Sequence, residues 1–133
     1  MSVIVTDEGF GQDDWNGTYA SLEDGGAPGI DLPSDTDPAA LAALPEGTSM
    51  VRIAFPSSAD GRGFTLARLL RMRGYRGRLR AQGHLIADQY AMARRCGFDE
   101  VEIDDALAER QPEDQWLFRA NWQAHDYQAR VRG

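Results

Sequence analysis

The sequence predicts an α/β protein: a small parallel (βα)-repeat sheet with crossover helices, a βαβαβ core, preceded by an irregular acidic arm. Three observations predict it. Val51-Arg52-Ile53-Ala54-Phe55, Gly77 to Ala81 and Phe98 to Ile103 are short runs with strand character. Between them lie two segments with apolar residues at helical spacing, Phe64 to Arg73 and about His84 to Arg95, closed by Gly74 and Gly97. Strand, helix, strand, helix, strand in that order is how a parallel sheet is wound. Third, charge is blocked: residues 1–50 hold ten acids and no base, residues 51–98 ten arginines against Asp60 and Asp88, and residues 99–133 nine acids against four arginines. The block sums of −10, +8 and −5 give the net charge of −7.

Taken in order, residues 3–5 suit a short strand, and 6–36 reads as an irregular arm with room for a short hairpin, broken by Gly25-Gly26-Ala27-Pro28-Gly29. A short helix over 37–46 starts with Asp37 as N-cap and Pro38 at the first helical position, and Pro45-Glu46-Gly47 stops it. In the core, 51–103, Val51, Ile53 and Phe55 share one side of the first strand, and Arg52 either points to the other or sits near the strand's open end. Phe64, Leu66, Ala67, Leu69 and Leu70 give the first helix an apolar face that leaves Arg62, Arg68, Arg71 and Arg73 outside it. The second helix should bury Leu85, Ile86, Gln89, Met92 and Cys96, and end on Gly97 as its C-cap. Val101 and Ile103 alternate with Glu100 and Glu102, so the third strand is expected half-exposed near a sheet edge. Residues 104–133 form a helical C-terminal region: Asp104 and Asp105 cap one short helix, Pro112 opens another, and Trp122 to Val131 fits either an extended segment or a frayed helix. The whole chain, 1–133, is expected to be one domain.

Ligands of such sheets bind beyond the carboxyl ends of the strands. If the first two core strands are neighbours, Ser57, Ser58, Asp60, Gly61, Arg62, Arg80, Gln82, Gly83 and His84 gather there, beside two helix starts. Amide groups and arginines at helix starts suit a small anion, which makes Ser57, Asp60, Gly61, Arg62, Arg80, Gln82 and Gly83 the candidate ligand-binding set. Asp60 and His84 are the candidates for proton transfer. The competing structural role is for Asp60 to cap the helix and pair with Arg62 or Arg80.

Several chemistries are excluded by pattern. Gly61-Arg62-Gly63 is followed by Leu66 where a dinucleotide loop needs its third glycine, and no GxxxxGK[ST] loop exists. The chain has no lysine, so no Schiff base or phosphate-loop lysine is available. His84 and His125 lack the spacing of a metal pair, and Asp31, Asp35 and Asp37 lack the glycine and glutamate of a calcium loop. Cys96 is alone and lies on the apolar helix face, where a structural thiol is expected. No aromatic-interleaved basic run points to nucleic acid, and no apolar run has the ~20 residues of a membrane span. The first residues lack the features of a secretion signal, so cytoplasm is the expected compartment.

Phe55-Pro56-Ser57, Asp60-Gly61-Arg62-Gly63-Phe64, Leu66-Ala67-Arg68-Leu69-Leu70-Arg71, Gly74-Tyr75, Gly77, Leu79-Arg80-Ala81, Gly83, Asp88-Gln89 and Arg95-Cys96-Gly97-Phe98-Asp99 follow one another in order. Together they resemble the bacterial family of domain of unknown function 934, most closely over residues 51–103. Weaker similarity reaches Leu32 to Pro38 and Tyr127-Gln128. Members are commonly labelled as oxidoreductases of sulfite reduction, without an established catalytic residue. The resemblance therefore implies a role beside assimilatory sulfate reduction, with sulfite reductase or a neighbouring enzyme as partner. The chain departs from the family pattern at His84, where members typically carry aspartate, and at Ser58, where they carry an aromatic or apolar residue. No nicotinamide, flavin or iron–sulfur signature accompanies the label, so no cofactor is expected. The readings left standing are an accessory or anion-binding protein, a small enzyme using Asp60 and His84, and an oligomerisation domain. A homodimer would let the acidic arm meet a neighbour's arginines.

Overall fold

The computed structural model describes residues 2–120 and 122. Seven strands form one sheet: β1 (Ser2–Thr6), β2 (Gly9–Gly11), β3 (Tyr19–Ser21), β4 (Gly29–Leu32), β5 (Met50–Phe55), β6 (Arg78–Gly83) and β7 (Glu100–Asp104). The helices are α1 (Arg62–Met72), α2 (Tyr90–Cys96), α3 (Asp105–Arg110) and α4 (Glu113–Arg119), with 3₁₀ turns at Pro38–Ala43 and Ala87–Gln89. The strand order is β2-β1-β7-β6-β5-β4-β3. From β3 to β7 every neighbour is parallel, while β1 is antiparallel to both β7 and β2.

The parallel strands thus lie side by side in chain order, each step moving the same way across the sheet. Crossovers of one hand then stack their helices on one face. The core confirms it. Val5, Ile30, Val51, Ile53, Phe55, Leu79, Ala81, Val101 and Ile103, all on one face, form a single buried cluster with Leu66, Leu70, Tyr90, Phe98 and Trp116. Neither Ile4 nor Met50, buried on the opposite face, belongs to it. No reversal of strand order occurs within the parallel part, so it contains none of the crevices that open where winding changes direction.

The βαβαβ core of 51–103 forms as its patterning predicts, with Gly97 in a left-handed C-cap (φ 113°) and Asp104 accepting the Leu107 amide at 2.7 Å. Asp37 caps the 3₁₀ turn through the Ala39 amide at 2.9 Å.

Four expectations need correction. The arm is not irregular throughout: β1 covers the short strand expected at residues 3–5, and β2, β3 and β4 follow within residues 1–36, hidden because each is only three or four residues long. The second helix does not start near His84. Gly83 (φ 130°) and the bond from the His84 amide to Phe55 O (2.9 Å) prolong the strand, and α2 begins only at Tyr90. That late start rotates the helix, so Tyr90, Ala93 and Cys96 are buried and Met92 is 52% exposed. β7 is neither an edge nor half-exposed, because β1 pairs along its outer side and Glu100, Val101, Glu102 and Ile103 are all buried.

Apart from Trp122, the expectation for Trp122 to Val131 lies outside the described residues, as do His125 and Tyr127-Gln128. No helix among the described residues is long and apolar enough to cross a membrane.

Candidate functional site

The predicted cluster divides in two. After β5 the chain runs through Pro56–Gly61 on the surface and turns into α1. Ser57 Oγ accepts the Ala59 amide at 3.1 Å, which tightens the loop. Asp60 Oδ1 accepts the Arg62 amide at 3.1 Å and Arg62 Nε at 2.9 Å, while Oδ2 takes Arg62 Nη2 at 2.7 Å. The same Nη2 reaches Ser34 Oγ at 3.1 Å, tying the β5–α1 loop to the turn after β4. Arg62's hydrogen bonds hold the Asp60 carboxyl well below the usual carboxylate range. Such a group is a poor proton acceptor at neutral pH.

Gly83 and His84 stand beside this loop through the pairing of β6 with β5, and the His84 side chain is exposed. Gln89 joins the two loops, donating to Ser58 O at 2.7 Å while its Oε1 accepts the Ile86 amide at 3.0 Å. Arg62 also edges a groove of about 360 Å³ lined by Ser34, Asp35, Thr36, Asp37, Pro38, Thr65 and Leu66. Asp35 and Asp37 stand on its wall, and Asp60 is already on Arg62.

Arg80 is elsewhere. It lies at the level of Arg52, on the sheet face away from the helices, and is fully buried. Alternation along β6 sends Arg78, Arg80 and Gln82 to that face, and their register partners on β7 include Glu100 and Glu102. Arg80 Nε binds Glu100 at 2.6 Å, and its Nη1 binds Glu102 at 2.9 Å. Both of its terminal nitrogens meet Asp13 at 3.0 Å. Arg78 joins Glu100 at 2.7 Å to Asp14 at 2.8 Å. Arg52 grips Asp31 at 2.7 and 3.0 Å and touches Glu102 at 3.3 Å. Its guanidinium lies 3.8 Å from the Tyr19 ring centre, a cation–π contact. Trp15 packs near Tyr19, with ring centres 6.0 Å apart.

The acidic arm has therefore folded over its own core. Asp7 pairs with Arg94, Asp13 with Arg80, Asp14 with Arg78 and Asp31 with Arg52. Arg80's hydrogen bonds, outweighing part burial, bring the Asp13 carboxyl below its usual range. Burial raises the Tyr19 phenol, whose hydroxyl and the Trp15 indole nitrogen are buried without a hydrogen-bond partner among the described residues.

Sequence reasoning missed Asp13, Asp14, Arg52, Arg78, Glu100 and Glu102 as one constellation. The signal was present in the matching alternation of Arg78/Arg80 and Glu100/Glu102, and in the −10 and +8 blocks. Cys96 is buried, as its place on the helix predicts. Among the described residues no group of three His, Cys, Asp or Glu side chains is placed to hold a metal ion.

Neither the curated proteins nor the solved structures compared with this chain contain a match. A family model described as "Bacterial protein of unknown function (DUF934)" matches residues 29–133, from β4 onward. It spans the core strands, the Asp60–Arg62 loop and the arginines and glutamates of the ion network, leaving β1 to β3 before it. The chain belongs to the bacterial DUF934 family, whose function is unknown.

Proposed function

We propose that this chain is a cytoplasmic accessory protein of assimilatory sulfate and sulfite reduction, acting by contact with sulfite reductase or a neighbouring enzyme rather than by chemistry of its own. One observation carries the choice of contact over chemistry. Asp60, the acid best placed at the strand ends, is engaged by three donors of Arg62 and joined through it to Ser34. Arg80, the other arginine expected to bind a ligand, is saturated by Asp13, Glu100 and Glu102. The sulfur assignment draws on the family resemblance, and the geometry bears only on how the protein would act.

Growth separates the two parts of the proposal. A strain lacking the gene should grow slowly with sulfate or sulfite as sole sulfur source and normally on cysteine. Asp60→Asn and His84→Ala should each restore growth fully. Normal growth of the deletion strain on sulfate overturns the sulfur assignment. Failure of a folded, normally expressed Asp60→Asn protein to restore growth overturns the non-catalytic reading and returns Asp60 to the role of an acid or base.

A further inference from the structure

We infer that the outer surface of the helix layer, around Met92, is a docking groove for an acidic amphipathic helix of a partner protein. The exposed large apolar side chains among the described residues are Met72, Met92, Leu117 and Phe118, and all four belong to α1, α2 and α4. Two adjoining hollows meet at Met92. One, about 320 Å³, lies between α1 and α2 and is lined by Leu69, Arg68 and Cys96. The other, about 570 Å³, lies between α2 and α4 and is lined by Phe118, Arg95 and the Asp88–Arg119 pair, whose charges cancel at 2.8 Å. A methionine flanked by apolar walls adapts to an inserted side chain, and a helix laid in such a groove anchors through residues three and four apart.

The rim supplies the charge preference. Arg68 and Arg95 are exposed, and the hydrogen bonds they make go to Cys96 Sγ and Trp122 O, so no carboxylate within the described residues neutralises either one. The other arginines of the core that face the arm have found acids there: Arg52, Arg78, Arg80 and Arg94. Two guanidiniums with no carboxylate partner among the described residues, beside apolar side chains, select an acidic, apolar-faced segment.

That occupant is favoured over two others. A second copy meeting the same face about a two-fold axis would set Arg68 and Arg95 against their own equivalents. A second copy offering its arm would have to break the pairs its acids already make. A bilayer is flat where this surface is hollow, and a chain of net charge −7 is repelled by anionic lipid. The inference rests on the reading of the chain as a contact protein but is independent of the sulfur assignment.

The test places a photo-crosslinking amino acid, p-benzoylphenylalanine, at position 92 of the full-length protein in its native bacterium and sequences the captured peptide. The expected product is a segment with net negative charge and apolar residues three and four apart. Its yield should fall roughly tenfold in the Arg68→Glu, Arg95→Glu double variant, where like charges replace opposite ones. It should hold in Arg110→Glu, whose charge lies outside the groove. Helix content matching the parent would show the double variant folded. A product with another copy of the chain, with lipid, or with a neutral or basic segment overturns the inference. So does no product at all, or a yield unmoved by the charge reversal. A partner outside sulfur metabolism leaves the groove assigned, whereas the growth test alone decides the pathway.

Discussion

Replacing Arg80 with methionine keeps a chain of similar length but removes the one guanidinium shared by three carboxylates. Glu100 and Glu102 are 5% and 8% exposed, so neither can turn to bulk water. Each keeps one cation: Glu100 has Arg78 at 2.7 Å, and Glu102 has Arg52 at a longer 3.3 Å. Stripping a partner from a buried pair costs ~3–5 kcal/mol when the remaining charge is left alone. With these second partners in place we expect the lower end, ~3 kcal/mol, a large share of a typical stability of ~5–15 kcal/mol.

Urea denaturation of both proteins at pH 7 measures this. Asp13→Asn is the control. Its side chain is 35% exposed, and solvent screening should keep its cost below ~1 kcal/mol. A loss under ~1 kcal/mol for Arg80→Met at pH 7 would refute the claim that Arg80 neutralises a buried acidic face.

Two further outcomes test the packing and the loops. A Cβ at Gly63 would stand 2.5 Å from the Phe55 ring, and one at Gly83 (φ 130°) would strike the Phe55 carbonyl oxygen. A ring can shift where a paired strand cannot, so Gly83→Ala should cost more than the ~1–3 kcal/mol of overpacking expected for Gly63→Ala, read by chemical denaturation. Burial raises the Tyr75 phenol to about 12. The stabilisation tied to its neutral form is complete below the unfolded value of ~10 and is lost as pH rises toward the folded one. Absorbance titration against Tyr75→Phe should therefore place one tyrosine's ionisation near that folded value; an ordinary value would show that the phenol is not held out of water as described.

The core from Val51 to Ile103 was legible because two kinds of periodicity alternate there and glycines punctuate them. What failed was whatever depended on contacts far along the chain. The sequence pattern put Arg80 in the ligand loop because it stands two residues from Gln82. Its true surroundings are Asp13, Glu100 and Glu102, at least twenty positions away. Periodicity assigned the Glu100 side of β7 to solvent, having no means to see that β1 and the arm would cover it. The start of α2 was misplaced for a local reason: Leu85 and Ile86 extend the helical pattern backward, but the His84 amide is already committed to β5. At the strand ends, Ser57, Asp60, Gly61 and Arg62 were placed together correctly, and the choice between capping and ligand binding was left to geometry. The charge blocks were read as a hint of a second subunit, and much of the imbalance is met within one chain.

The pairing of β1 with β7 has a consequence for how the protein is made. Ser2 to Val5 align with Asp104 to Val101, so β1, made before the other strands of this sheet, waits for β7, the last of them among the described residues. At ribosomal rates the intervening chain of roughly a hundred residues takes ~5–20 s to appear. Throughout that interval β3 to β6 can pair in the order they emerge, exposing Arg52, Arg78 and Arg80 before Glu100 and Glu102 exist. The arm's carboxylates at Asp13, Asp14 and Asp31 are already there to neutralise them.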